Sequence, residues 1–321
     1  MALVVLLVPL HYCVSQAALS PLPAVNLNPP HLALLQQPAQ APGCCSNGAT
    51  VSLSYATILI SEDEGGNSAL LDMEVARASL RLAAELPSGL GIWADLSYLW
   101  FGGGAFDDLL IDYHDALHLP NGDRPDRPRN TFGYTVSRDG QVYSPDPPAG
   151  GGPGDTVIGA VVPIPGFSGS DTEVSWRVTG KLPTGSSADG FGSGRADVAT
   201  GIIAAWSGER FWLLGNLDGL YFGGTPHPAL HMGTHWALSA LAEGGLSIDP
   251  LGTVSAGLGY LASPYDTGFS SLDRDVLMLR VGFQRPVSKS LLLHVGFTED
   301  LAVESSPDFA VFLGLEWSGA R

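Results

Sequence analysis

No aspartate, glutamate, lysine or arginine occurs among residues 1 to 61, so every formal charge lies from Glu62 onward. Positive charge is scarce throughout, with 15 Lys and Arg against 32 Asp and Glu and a net charge of -17. That balance, without a basic block, excludes a phosphate backbone and hence nucleic acid as partner. Charged residues are only 15% and hydrophobic residues 45%, which excludes a disordered acidic tail and a highly charged helical protein. Long helices are disfavoured by 41 Gly and 24 Pro. No apolar run approaches the roughly 20 residues of a spanning helix, so insertion in a membrane must be by strands.

Cysteine is nearly missing, with Cys13, Cys44 and Cys45 the whole set. The adjacent pair would make a strained disulfide, and it lacks the further Cys or nearby His of a metal site. There is no zinc-protease helix motif, phosphate-cradling glycine loop or nucleophile elbow. Gly190 to Gly194 is glycine-rich but lacks the Lys-Ser/Thr that holds phosphate. Neither a cofactor nor a metal is expected.

At the start of the chain, Ala2 to Leu10 is apolar, and Ser15-Gln16-Ala17 or Gln16-Ala17-Ala18 supplies small residues before a cut. Residues 1–18 therefore read as an export signal. A lipid anchor at Cys13 is disfavoured, because His11 and Tyr12 are not the small residues such a site needs. Residues 19–48 form a Pro-rich segment expected in the periplasm.

The remainder is dominated by period-two alternation. Val174, Trp176, Val178 and Leu182 share one face of 172–182, while Glu173, Ser175, Arg177, Thr179 and Lys181 share the other. Leu277, Leu279, Val281 and Phe283 likewise oppose Arg280, Gly282 and Gln284. Similar segments recur at 50–61, 68–86, 89–101, 155–163, 195–207, 209–222, 232–247, 250–262, 288–300 and through Phe309 to Trp317. They are long enough to cross a bilayer at a tilt, which takes roughly 9 to 11 residues, where globular strands run about 5 to 6. Short turns at Pro87-Ser88, Ser207-Gly208, Asp249-Pro250 and Pro286-Val287 alternate with longer polar joins. The pattern predicts an all-β fold, an antiparallel transmembrane β-barrel of about twelve strands over 49–317, with both termini periplasmic. Aromatic residues near strand ends, among them Trp93, Trp100, Phe101, Trp212, Phe222 and Trp317, are expected as interface girdles. The change of face near Val75, from Leu71, Met73 and Val75 to Leu80 and Leu82, predicts a bulge.

One region breaks the alternation. Phe106, Leu110, Tyr113 and Leu117 recur at helical spacing and predict a short helix over 106–118, within an outer loop or plug at 102–154. After it come a charged, turn-rich loop to Arg129 and an outer hairpin at 131–143. Docked at the barrel mouth, the helix would bring Phe106, Asp112, Tyr113, His114 and Arg124 together as a lid. An outer ornament packed on neighbouring loops is the equal alternative.

Here the chain resembles an uncharacterised proteobacterial family, the domain of unknown function 3187, whose members look like outer-membrane β-barrels. The resemblance rests on Phe106 to Arg129 with Ile111, His114, Leu119, Pro120 and Arg124. Gly180 to Gly185, Gly194 to Gly201 with Asp197, and Pro307-Asp308-Phe309 add to it. It implies a fold and a bacterial outer-membrane location, and it carries no catalytic residues.

In a barrel, Asp95, Glu173, Arg177, Lys181, Asp197, Glu243, Arg280 and His294 would point into the lumen, because charge facing hydrocarbon is costly. They read either as a solute path or as a closed polar core of paired charges. His227, His231 and His235 sit at spacing four, yet no Asp, Glu or Cys completes a metal set near them in sequence. His235 with Ser239 and His294 with Ser290 share strand faces, as a lipid hydrolase would need, but such pairs arise easily by chance in a Ser-rich chain. The sequence thus points to a non-enzymatic barrel, a passive channel or transporter for small solutes. A structural or biogenesis component and a lipid hydrolase are the alternatives. Its expected partners are the lipid bilayer, lipopolysaccharide, the outer-membrane assembly machinery and a small-molecule solute.

Overall fold

The computed structural model describes residues 19–42, 47–104, 106–117, 124–145, 150–248, 250–301, 307 and 309–319, without the side chains of 109, 110, 113, 114 and 117. The export signal and the Cys44-Cys45 pair lie outside these residues.

In chain order the elements are α1 (Pro29–Leu32), β1 (Gly48–Glu64), β2 (Asn67–Glu85), β3 (Gly91–Gly102), α2 (Asp107–Leu117), β4 (Gly133–Arg138), β5 (Gln141–Tyr143), β6 (Gly150–Pro153) and β7 (Thr156–Pro163). Next come β8 (Thr172–Leu182), β9 (Asp197–Ser207), β10 (Phe211–Tyr221), β11 (Trp236–Ile248), β12 (Gly252–Leu261), α3 (Ser270–Asp273), β13 (Val276–Ser288), β14 (Leu291–Asp300) and β15 (Phe309–Ser318). Each barrel strand pairs antiparallel with its sequence neighbour, and β1 pairs with β15, which closes the sheet. Strands β6 and β7 are two parts of one wall position against β3, so the barrel has twelve strands. The register slips between them, from Tyr98 opposite Pro153 to Asp95 opposite Val157, and this bulge turns Asp155 inward.

Alternation sets which side chains meet lipid. Val51 and Leu53 on β1, Leu213 and Leu217 on β10, and Leu313 and Leu315 on β15 are all exposed on the outer face. Trp100, Tyr221 and Trp236 lie towards the end with the long loops, Phe211 and Trp317 towards the other. Trp93, Phe101, Trp212 and Phe222, expected in the girdles, are instead buried inside. Their parity along the strand, rather than their distance from its end, decides their face.

Two further expectations are corrected. The register of β1 with β2 is unbroken from Gly48 opposite Ala83 to Glu64 opposite Asn67, so there is no bulge near Val75. Leu71, Met73 and Val75 point inward because the upper lumen is apolar, whereas Leu80 and Leu82 point outward to lipid. Pro286-Val287 lies within β13, beside a register shift, and the turn falls three residues on at Lys289-Ser290.

Residues 19–42, placed by the sequence in a separate periplasmic segment, run through the lumen. Ser20 lies beside Gln284 and Glu316, near the end with the short turns. The chain then climbs to α1, where Tyr265 Oη donates to the Pro30 carbonyl at 2.5 Å, and returns past Pro38 and Gln40 to enter β1. An extended, Pro-rich strand has no partner for its own peptide groups, and the lumen side chains supply those partners. Gly282 and Gly314 make room for it, since a Cβ there would lie 2.5 Å from Leu22 Cδ2 and 3.0 Å from Pro23 Cγ.

Candidate functional site: the lumen

Wall charges meet the plug formed by residues 19–42. Arg177 is buried and donates through Nε at 2.7 Å and Nη2 at 2.5 Å to the Asp218 carboxylate, while its Nη1 holds the Pro38 carbonyl at 2.7 Å. Lys181 Nζ reaches Asp155 at 2.5 Å, Asp197 at 3.3 Å and the Ala33 carbonyl at 2.9 Å. Asp197 accepts the Leu35 amide at 2.9 Å. Glu243 accepts the Leu22 amide at 2.8 Å and faces Arg280 at 3.6 Å, and Arg280 donates to the Leu22 carbonyl. Asn216 exchanges two hydrogen bonds with the Gln40 backbone, at 3.1 and 2.9 Å. Asp95 bridges Arg77 and Arg81, and His294 Nε2 lies 3.2 Å from Glu316. Glu173 shares the inward parity but sits exposed near the start of β8, beyond the enclosed lumen.

Asp95, Arg177, Lys181, Asp197, Arg280 and His294 are buried on the inner face of the barrel. Their partners Arg77, Asp155, Asn216, Asp218 and Glu316 were not singled out, although Asp218 and Asn216 alternate with the outward Leu213 and Leu217 and carry the same signal.

Above the charges, towards the long loops, the lumen is closed by an apolar core. Leu27, Leu34 and Leu35 of the plug pack there with Leu71 and Met73 of β2. Phe191, Leu230, Tyr265 and Leu272 come in from the loops, and Tyr134, Val136 and Tyr143 from the β4–β5 hairpin, which pairs with β2 beyond the end of β3. Below, between the plug and the inner face of β1, β2 and β3, runs a crevice of about 180 Å³ that reaches the strand ends at Gly48 and Ser318.

The helix α2 forms as expected, but its anchors are on the outside of the wall. Asp72 and Glu74 occupy outward positions of β2 and are nevertheless buried. Glu74 accepts the Phe106 amide at 2.6 Å, Phe106 packs edge-on to Tyr55 with centroids 5.5 Å apart, and Thr131 donates to Asp72 at 3.1 Å. Buried Arg124 donates to Asp107 at 3.0 Å, and Arg127 to Ser61. Asp112 is exposed, and the side chains of Tyr113 and His114 lie outside the described residues. These contacts hold the segment over two outward carboxylates that would otherwise be stranded at the outer wall, not across the mouth.

The three histidines go separate ways. His227 stacks on Tyr143 with centroids 5.4 Å apart, His231 Nδ1 lies 3.2 Å from the Asp266 carbonyl, and His235 Nδ1 lies 2.6 Å from that of Phe222. No group of three metal-ligating side chains occurs among the described residues. Neither His–Ser pair is joined by a hydrogen bond among them; His294 engages Glu316 instead.

A closed antiparallel barrel with an apolar outer belt and a charged lumen defines a porin-like barrel of the outer-membrane type. More particularly, the chain belongs to the family described as protein of unknown function (DUF3187), whose profile matches residues 13–318. No curated protein matches the sequence. Among solved structures, the COG4313 outer membrane channel from Pseudomonas putida F1 superposes with a TM-score of 0.53 at 16% identity, over 87% of this chain and 100% of that one. The KdgM porin gives 0.44 at 8% identity over 84% and 99%. The P. putida toluene transporter TodX gives 0.44 at 10% over 88% and 94%.

Proposed function

We propose that the chain is a bacterial outer-membrane channel for small solutes, kept closed by its own N-terminal segment, with the short turns facing the periplasm. The observation that carries this is the lumen itself. Besides pairing with one another, its charges hold the backbone of residues 19–42 at Leu22, Ala33, Leu35 and Pro38, and Asn216 holds it at Gln40. Pairing across the wall alone would be enough to fill a narrow barrel, whereas these pairs also hold a separate strand of the chain. Holding a strand that enters and leaves by the same end is the arrangement of a removable stopper. Insertion by the outer-membrane assembly machinery and contact with lipopolysaccharide at the upper rim belong to the same reading.

Planar-bilayer recording tests it. The full chain is expected to conduct rarely or at a low level, and the refolded barrel lacking residues 19–42 to show large, discrete steps. A folded deletion that stays silent would instead favour a structural barrel.

A further inference from the structure

The crevice beside the plug has two unlike sides. The wall presents Ser52, Arg77, Ser79, Arg81, Asp95 and Ser97, while the plug faces it with Pro21, Leu22, Pro23, Val25 and Leu34. Within the wall, Ser52 and Ser79 hydroxyls are 2.7 Å apart. Arg77 Nη2 and Arg81 Nη2 share one carboxylate, Asp95, at 2.8 and 3.2 Å. The Arg81 guanidinium carbon also lies 4.8 Å from the centroid of the Trp93 ring. Those are the only hydrogen bonds the two guanidiniums donate among the described residues, and Arg81 Nε is buried without a partner. A guanidinium carries five N–H donors, so the pair holds far more donors than Asp95 can accept. Glu316, on the same side of the lumen, makes no hydrogen bond to either guanidinium among the described residues; its Oε2 takes Ser20 Oγ at 2.6 Å and His294 Nε2 at 3.2 Å. Lys181, further along, is matched by Asp155 and Asp197.

Donors in excess on one side and a hydrocarbon surface on the other select a ligand that is itself two-sided. We infer that the crevice binds a small amphipathic monocarboxylate, its carboxylate on Arg77 and Arg81 and its apolar body against the prolines and leucines of the plug. Paired guanidiniums take a carboxylate through parallel N–H bonds, and Trp93 adds a flat surface beside them. The volume, about 180 Å³, limits the size: an engineered cavity of about 150 Å³ takes a benzene ring. An aromatic or short branched acid fits that bound, and a long-chain acid does not. The inference rests on the lumen being a solute path, and it names the solute class that the closed state holds.

Isothermal titration of the refolded full chain with benzoate, with benzamide as the uncharged isostere and acetate as the carboxylate without a body, tests it. Benzoate is expected to bind at least tenfold tighter than either. Arg77→Gln and Arg81→Gln should each weaken benzoate at least tenfold, and Asp95→Asn, which releases both guanidiniums, should strengthen it. Equal binding of benzamide removes the arginine site, and equal binding of acetate removes the apolar half. Both comparisons use the native chain, so a variant that fails to fold does not blunt them. If benzoate does not bind a chain whose barrel conducts once residues 19–42 are deleted, the ligand site falls and the channel stands. Binding in a chain that never conducts reverses that outcome.

Discussion

Arg177 and Asp218 show how much a single lumen residue carries. Both side chains are 1% exposed, and removing one partner of such a pair leaves a buried charge uncompensated, which costs about 3 to 5 kcal/mol. Asp218→Asn should lower the urea midpoint in lipid vesicles accordingly and make residues 19–42 easier to nick with protease. Unchanged nicking would mean that Arg177 does not hold Pro38. His31 tests the other end of the plug. It is wholly buried in α1 against Tyr265, and burial lowers its pKa from 6.5 to about 4. Docking therefore has its full strength above pH 6.5 and loses it as pH falls towards 4, by about 3 kcal/mol over that window. Acid should open the channel more readily in the native chain than in His31→Phe. Identical pH profiles in the two would show that the carboxylates alone respond. His31 gave no signal in the sequence, because what perturbs it is the apolar loop core around it and not its own neighbours in the chain.

The elements were legible to very different degrees. Period two is a local property, so the twelve wall positions, the β4–β5 hairpin and α2 could be read from the chain. Which half of the lumen is apolar depends on loops far away in sequence, and so the face change in β2 looked like a bulge. The plug left the weakest trace. It has no charge and no periodicity, and it is held by backbone amides and carbonyls that every sequence possesses. Only the lumen charges hinted that something polar must meet them. A pair of adjacent substitutions on β13 separates wall from plug. Val281→Arg places a charge on the outer face and should hinder insertion by roughly 2 to 4 kcal/mol if near the midplane, read from the folded fraction in vesicles. Gly282→Arg points inward where Leu22 sits, so it should insert normally and raise bilayer conductance by displacing the plug. Equal loss of folding in both variants would argue that residues 19–42 are needed to form the barrel.

For the whole molecule, the arrangement assigns closure to the plug and the apolar loop core and leaves α2 with another task. An eleven-residue helix is only marginally stable alone in water, so it must dock; Arg124 ties the following loop back to Asp107, and Phe106, Arg127 and Thr131 dock on the outer wall. There they cover Asp72 and Glu74, which stand on outward positions of strands that run beyond the end of β3. A segment anchored that way stabilises the extended β1–β2 hairpin at the lipid boundary. The contacts that its described residues make with the barrel lie on the outer wall, while the plug reaches the lumen from the opposite end. Replacing residues 105–130 by a short Gly-Ser linker should therefore leave conductance as it is, both in the full chain and in the chain without residues 19–42. The same replacement should lower the unfolding temperature, because it uncovers two carboxylates at the membrane edge. Higher conductance from the loop-deleted full chain would return α2 to the role of a lid and make the plug one of two barriers in series.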